Sequence, residues 1–220
     1  IDPNTWLMNK IPEFVLRDSP DAVVIVDIFG NLAEFQTDLP LLVDAAHSYS
    51  LKGLGKRGKC EVISFSFTKL ITGMQGGCLL TDDYNVYTKA WELIHLSAKM
   101  LEIEAYYILK QIDTYEEQVI IRNKLINMYR QQIKIPFVEQ RIPVENNFSV
   151  YAIMFEDKKI RDKVAQKFSD NGVEVKIYYQ PLVDNLPNTT NVFDRILSLP
   201  LYSKLVENDI EYICNLINSI

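Results

Sequence analysis

Residues 63–83 read ISFSFTKLITGMQGGCLLTDD: a short apolar strand, a polar break holding Lys69, the pair Gly76-Gly77, and a second apolar run. Three more runs stand around it. CEVISFSF (60–67) supplies the strand before the break, LPLLVDAAHS (39–48) has an apolar part ending at Asp44, and DAVVIVDIFG (21–30) ends in a glycine. Short, nearly continuous apolar runs predict strands buried on both faces. Such strands in series predict an α/β fold with a covered sheet. The gaps between the runs are short, so part of the pairing is expected to be antiparallel rather than helical crossover.

Residues 84–132 hold no Pro or Gly. Leu101, Ala105, Ile108, Ile112, Tyr115, Val119, Ile126 and Tyr129 follow steps of four and three, interrupted by Arg122, which predicts a long amphipathic helix linking two lobes. NFSVYAIMF (147–155) reads as a strand, DKKIRDKVAQKFSDNG (157–172) as a helix stopped by Asn171-Gly172, and VEVKIYY (173–179) as an alternating strand. LVENDIEYICNLINSI (205–220) closes a β-α-β lobe with an amphipathic helix. Residues 1–105 are therefore expected to form one domain, and 106–220 a linking helix and a smaller α/β domain.

The 220 residues carry a net charge of -6, which disfavours a nucleic-acid surface. Cys60, Cys78 and Cys214 form no disulfide framework or zinc pattern and suit a reducing, cytoplasmic compartment. Two histidines, His47 and His95, argue against a His-rich metal site, and no apolar run is long enough for a membrane helix. The first residue is Ile1 and IDPNTW reads as the middle of a longer sequence, so the chain is expected to lack an N-terminal region; no basic leader precedes an apolar core, which argues against a signal peptide.

Asp44 ends a strand, where ligands of α/β sheets gather. Its plainer reading is a turn cap. Lys69 is a solvated loop lysine or an amine whose surroundings lower its pKa, so that it forms Schiff bases with carbonyls. Ser64 and Thr68 bring hydroxyls suited to a phosphate. An acid and a lysine at two strand ends, with hydroxyls beside the lysine, make the protein's half of a pyridoxal phosphate site.

Residues 41–83, LLVDAAHSYSLKGLGKRGKCEVISFSFTKLITGMQGGCLLTDD, resemble the core of the DegT/DnrJ/StrS sugar aminotransferases, which have the fold type I architecture. Ser64-Phe65-Ser66-Phe67-Thr68-Lys69 fits their Ser-Phe-x-x-x-Lys spacing. VVIVDIFGNLAEF resembles another family segment, with Asp27 in place of the usual His. SAKMLEIEA, GVEVKIYYQPL and RILSLPLYSKL resemble further family signatures, and IDPNTW the strand opening the middle segment. The resemblance implies a remnant of the large domain, with a mixed, mostly parallel sheet, plus a smaller C-terminal α/β domain joined by a long helix.

The resemblance also implies roles. Lys69 would carry the pyridoxal 5'-phosphate and shuttle the proton. Asp44 would pair with the ring nitrogen, Ala46 would pack on the ring face, His47 would lie near the phenolic oxygen, and Ser64 would hold the phosphate. The basic segment KGLGKRGK (52–59) would be a hairpin beside the site, either solvated or substrate-binding. The implied reaction moves an amino group, usually from glutamate, to a keto sugar on a nucleotide, in surface-polysaccharide or related synthesis. The implied assembly is a homodimer with sites at its interface. Departures are Ser97 for an Asn that reaches the partner's cofactor, Lys99 for Arg, Gln75 for Glu, and the lack of the family's N-terminal portion. That lack leaves a second reading open, a non-catalytic interaction module.

Overall fold

The computed structural model describes residues 1–220 apart from the side chain of Ser97, so the expected departure there lies outside the described residues. Two compact units form. The first comprises Leu7–Tyr115 and Ile142–Ser149, the second Ile1–Trp6, Glu116–Arg141 and Val150–Ile220. A domain boundary between residues 105 and 106 stays a proposal beside this division.

The first unit is built on a sheet of β1 (Val23–Val26), β2 (Leu41–Asp44), β3 (Cys60–Ser64) and β4 (Gly77–Leu80), in that spatial order. The first three strands are parallel and β4 returns antiparallel, giving the mixed, mostly parallel sheet of an α/β fold. No helix bridges β1 to β2, only a 3-10 turn at Ile28–Gly30. Register sets Val26 beside Asp44, Asp44 beside Val62, and Val62 beside Leu79, so these four side chains share one face.

Burial on both faces does not hold for β1. Val23 and Ile25 are buried with Leu7, Ala33, Val43 and Ala45, whereas Val24 is 56% exposed and Val26 40%. Val62, on the same open face, is 45% exposed. An apolar run reports which residues tolerate burial, but cover comes from packing partners. The described residues supply those partners to one face.

The long helix of residues 84–132 is also corrected, to three helices. Asp83 caps α2 (Tyr84–Ser97), its Oδ1 accepting the N–H groups of Asn85 at 2.9 Å and Val86 at 3.3 Å. Ala98 leaves helical geometry at φ -134°. Leu101 is extended, and Glu104 accepts its N–H at 2.8 Å to open α3 (Glu102–Ile112). After Asp113 and Thr114, α4 (Tyr115–Gln132) begins. The apolar stripe from Leu101 to Tyr129 runs through the break at Asp113 and Thr114, because side-chain spacing does not encode caps.

The second unit holds an antiparallel sheet of β5 (Phe137–Glu139), β6 (Tyr151–Phe155) and β7 (Ile196–Leu199), in that order, with α5 (Lys158–Asp170), α6 (Pro187–Arg195) and α7 (Glu207–Asn218). Asp157 caps α5 through the N–H of Ile160 at 2.8 Å. Residues 173–179 are not the expected strand. They make one bridge, Lys176 to Ser198, at the sheet's edge, and β7 takes the ladder with β6. Arg122, which interrupts the stripe, is buried and donates Nη1 to the carbonyl of Leu201 at 2.8 Å. No helix among the described residues is long and apolar enough to cross a membrane.

Candidate active site

The ends of β2 and β3 carry the sequence-predicted residues, all within the first unit. Asp44 closes β2, and its Oδ1 accepts the N–H of Ala46 at 3.0 Å. That is the turn-cap role, and it engages one carboxylate oxygen. Ser64 closes β3. Its hydroxyl donates to Ser66 Oγ at 3.1 Å and accepts the Ser66 N–H at 3.3 Å. The Lys69 N–H then donates to the Ser66 carbonyl at 3.0 Å, which folds the break back over the strand end. Two hydroxyls and one lysine are thus held on a single turn.

Lys69 is partly buried. Burial lowers its amine from the ordinary lysine range, and the Asp44 carboxylate opposes that shift. The two groups feel each other without forming an ion pair among the described residues. His47 is pushed down to about 4, by burial first and the Lys69 ammonium second, with Asp27 acting the other way. Its imidazole is therefore neutral at pH 7. His47 Nδ1 is buried and has no hydrogen-bond partner among the described residues. Asp44, His47 and Lys69 are brought into one electrostatic neighbourhood, and Ala46 lies between the first two in the chain.

Behind the site lies a cluster that sequence reading missed. Asp27 is 0% exposed and Glu61 1%. Arg57 spans both. It donates Nη1 to Asp27 Oδ1 at 2.9 Å, Nη2 to Asp27 Oδ2 at 2.7 Å, and Nη2 to Glu61 Oε2 at 2.7 Å. Burial lowers the Arg57 pKa and the bonds to Asp27 and Glu61 more than reverse it, so the net shift is upward. The 52–59 segment is thus neither wholly solvated nor a free basic surface. Lys56 and Lys59 pair with Asp82 and Asp83 at 3.0 and 3.3 Å. The readable signal was an acid inside each of two apolar runs, Asp27 and Glu61, since a buried carboxylate needs a cation.

The loop carrying His47 is held on three sides. Ser48 Oγ donates to Asp27 Oδ2 at 2.6 Å, and Tyr115 donates its hydroxyl to the Tyr49 carbonyl at 3.2 Å. Asn147 Nδ2 donates to the carbonyls of His47 at 2.8 Å and Tyr49 at 3.0 Å. The Asn147 side chain passes over Gly30, which sits at φ +83°, where a Cβ would lie 1.9 Å from Asn147 Oδ1. Only glycine meets both conditions there.

His47 sets a pH dependence. Its folded pKa of about 4 lies below the ordinary 6.5, so in that window the unfolded chain binds a proton that the folded chain refuses. Stability is complete above pH 6.5 and falls as pH drops toward 4. At about pH 5 the loss is about 2 kcal/mol. His47→Gln is expected to remove this part of the slope in urea titrations at about pH 7 and pH 5. Equal slopes in both proteins would show that His47 does not set it.

A profile of the DegT/DnrJ/EryC1/StrS aminotransferase family matches residues 1–218. The chain is 23% identical over 257 aligned positions to the UDP-2-acetamido-2-deoxy-3-oxo-D-glucuronate aminotransferase of Pseudomonas aeruginosa, covering 97% of this chain and 70% of that protein. It is 24% identical over 217 positions to the dTDP-4-amino-4,6-dideoxy-D-glucose transaminase of Escherichia coli, covering 81% of this chain and 58% of that one. Among solved structures, a DegT DnrJ EryC1 StrS aminotransferase from Brucella abortus has a similar fold, with a TM-score of 0.80 at 22% identity over 100% of this chain and 71% of its own. DesI, solved in the presence of its TDP-sugar product, gives 0.84 at 22%, over 100% and 67%.

Proposed function

The chain belongs to the DegT/DnrJ/EryC1/StrS aminotransferase family, and from that premise we propose that it moves an amino group to a keto sugar attached to a nucleotide, with pyridoxal 5'-phosphate as cofactor and glutamate as donor. The observation carrying this reading is Lys69, half-buried on the turn that follows β3, its amine lowered by burial and within electrostatic reach of Asp44 at the end of the neighbouring β2. The nucleotide-sugar aminotransferase relatives from Pseudomonas aeruginosa and Escherichia coli support the nucleotide-sugar substrate.

The residues present fit the cofactor. Asp44 keeps one carboxylate oxygen outside its turn bond, Ser64 and Ser66 offer hydroxyls, and His47 Nδ1 is a buried polar atom in want of a partner. When bound, pyridoxal phosphate supplies an aldehyde and an electron-accepting ring. Burial favours the neutral Lys69 amine, the form that attacks a carbonyl and takes up a proton at Nζ. Asp44 would hold a positive ring nitrogen, the serine hydroxyls would bond phosphate oxygens, and the neutral His47 would offer Nδ1 for one hydrogen bond. The three free thiols suit a cytoplasmic setting.

The test is addition of pyridoxal phosphate, reduction with borohydride and peptide mapping. A pyridoxyl group on Lys69 alone is expected. No label, or label spread over surface lysines, sinks the proposal for this chain and favours the interaction module. One observation supports that second reading, the open apolar row of Val24, Val26 and Val62.

We also infer a homodimer with sites at its interface. Along α2, the exposed rings of Tyr84, Tyr87 and Trp91 follow one another at centroid distances of 6.3 and 6.1 Å, the first pair tilted and the second stacked, an unusual load of aromatic surface for a solvated helix. Solution scattering is expected to give twice the chain mass, and a monomer at micromolar concentration rules the dimer out.

A further inference from the structure

We propose that Asn147 is a positioning residue for this site: by holding the main-chain carbonyls of His47 and Tyr49, its side-chain amide fixes the imidazole of His47 for contact with the cofactor. The proposal rests on the cofactor reading given above.

The His47 ring is not oriented by hydrogen bonds at Nδ1, which has no partner among the described residues. Phe29 stacks against it at a centroid distance of 6.4 Å and 23°, which limits tilt but leaves sliding free. The position of the ring therefore follows the position of its backbone. Residues 45–51 form successive turns, closed by Ser48 N–H to the Ala45 carbonyl at 2.9 Å and Leu51 N–H to the Ser48 carbonyl at 3.1 Å. In such a loop the carbonyls of residues 47 and 49 have no ladder partner.

Asn147 supplies one for each, and both of its side-chain donors are used. Nδ2 gives both hydrogens, at 2.8 and 3.0 Å, and Oδ1 accepts the Ser149 N–H at 2.9 Å. Its own N–H donates to the Gly30 carbonyl at 3.2 Å. The residue sits 9% exposed. Its neighbour Glu145 fastens the same strap twice more, its carbonyl accepting the Leu32 N–H at 2.9 Å and its Oε2 the Lys52 N–H at 2.8 Å. The strap thus stays attached when the Asn147 amide alone is removed, so a substitution there tests the loop rather than the strap.

The test uses the full chain with Asn147→Leu, which keeps size and removes both donors together with the Oδ1 acceptor of the Ser149 N–H. His47 and His95 are the only two histidines, so each ring gives its own NMR resonance. The charged groups facing His47 are Lys69 and Asp27, and neither is altered. In the variant the His47 titration is expected to move up by about one pH unit or more as the loop loosens and water reaches the ring, with His95 unmoved. Pyridoxal phosphate, followed by its absorbance, is expected to bind about tenfold more weakly. If circular dichroism shows that Asn147→Leu does not fold, Asn147→Ser, which keeps one donor, is expected to give a smaller shift in the same direction. An unmoved His47 titration in a folded variant overturns the proposal. Should the unmodified chain bind no pyridoxal phosphate, the aminotransferase reading fails, and the His47 titration still decides the role of Asn147 on the loop.

Discussion

Lys69→Ala is expected to lower turnover by about 10³-fold or more and to abolish the borohydride-fixed label. The size follows from what is removed under the proposed function, in which Nζ is both the attacking amine and the group that carries the proton. Little else changes. The structural bond at this position is the main-chain N–H to the Ser66 carbonyl, which alanine keeps. The melting temperature is expected to hold within a few degrees, separating chemistry from fold. Lys69→Arg is the sharper control. It retains a cation near Asp44 but stays protonated and does not attack a carbonyl, so it should be as inactive as alanine. Turnover within tenfold of the unmodified chain in both variants would falsify the assignment of Lys69.

Arg57→Met is expected to destabilise the first unit by about 3–5 kcal/mol, a large share of the ~5–15 kcal/mol that holds a typical domain. The cost does not lie in losing an attractive pair. It lies in leaving two carboxylates, Asp27 and Glu61, buried without a cation. Arg57→Lys keeps the charge but loses the fork that reaches both acids, so it should fall between the two. Urea titration at pH 7 measures the series. A loss below about 1 kcal/mol for Arg57→Met, the level of a surface pair, would show that the acids find other partners.

The parts of the fold readable in the sequence are those carried by local pattern. The runs before Asp44 and Ser64 place β2 and β3, and the paired glycines place the return into β4. Asp44 could be singled out as a candidate because it stands where an apolar run stops, and Lys69 because it sits in the following polar break with hydroxyls beside it. What stayed hidden depends on distance. Nothing near Arg57 marks it as the inward cation while Lys56 and Lys59 face acids on the surface, since that follows from the register of β3 against the rest of the sheet. The alternation of 173–179 was real, yet the pairing went to 196–199. Asn147 acts on a loop 100 residues away, which no local spacing reports.

That separation bears on the order in which the molecule can be made. The first unit is completed only when Ile142–Ser149 joins Leu7–Tyr115, after α4 and β5 have been produced. On a ribosome adding about 5–20 residues per second, the His47 loop waits on the order of 5–20 s for Asn147. Through that interval the His47 carbonyl depends on water, and the loop is held by Ser48 on Asp27 and Tyr115 on the Tyr49 carbonyl. Closing a loop of this length carries an entropic term of about 4 kcal/mol, which the strap's several bonds repay together. The last event in assembling the nascent first unit is thus the fastening of its candidate active site.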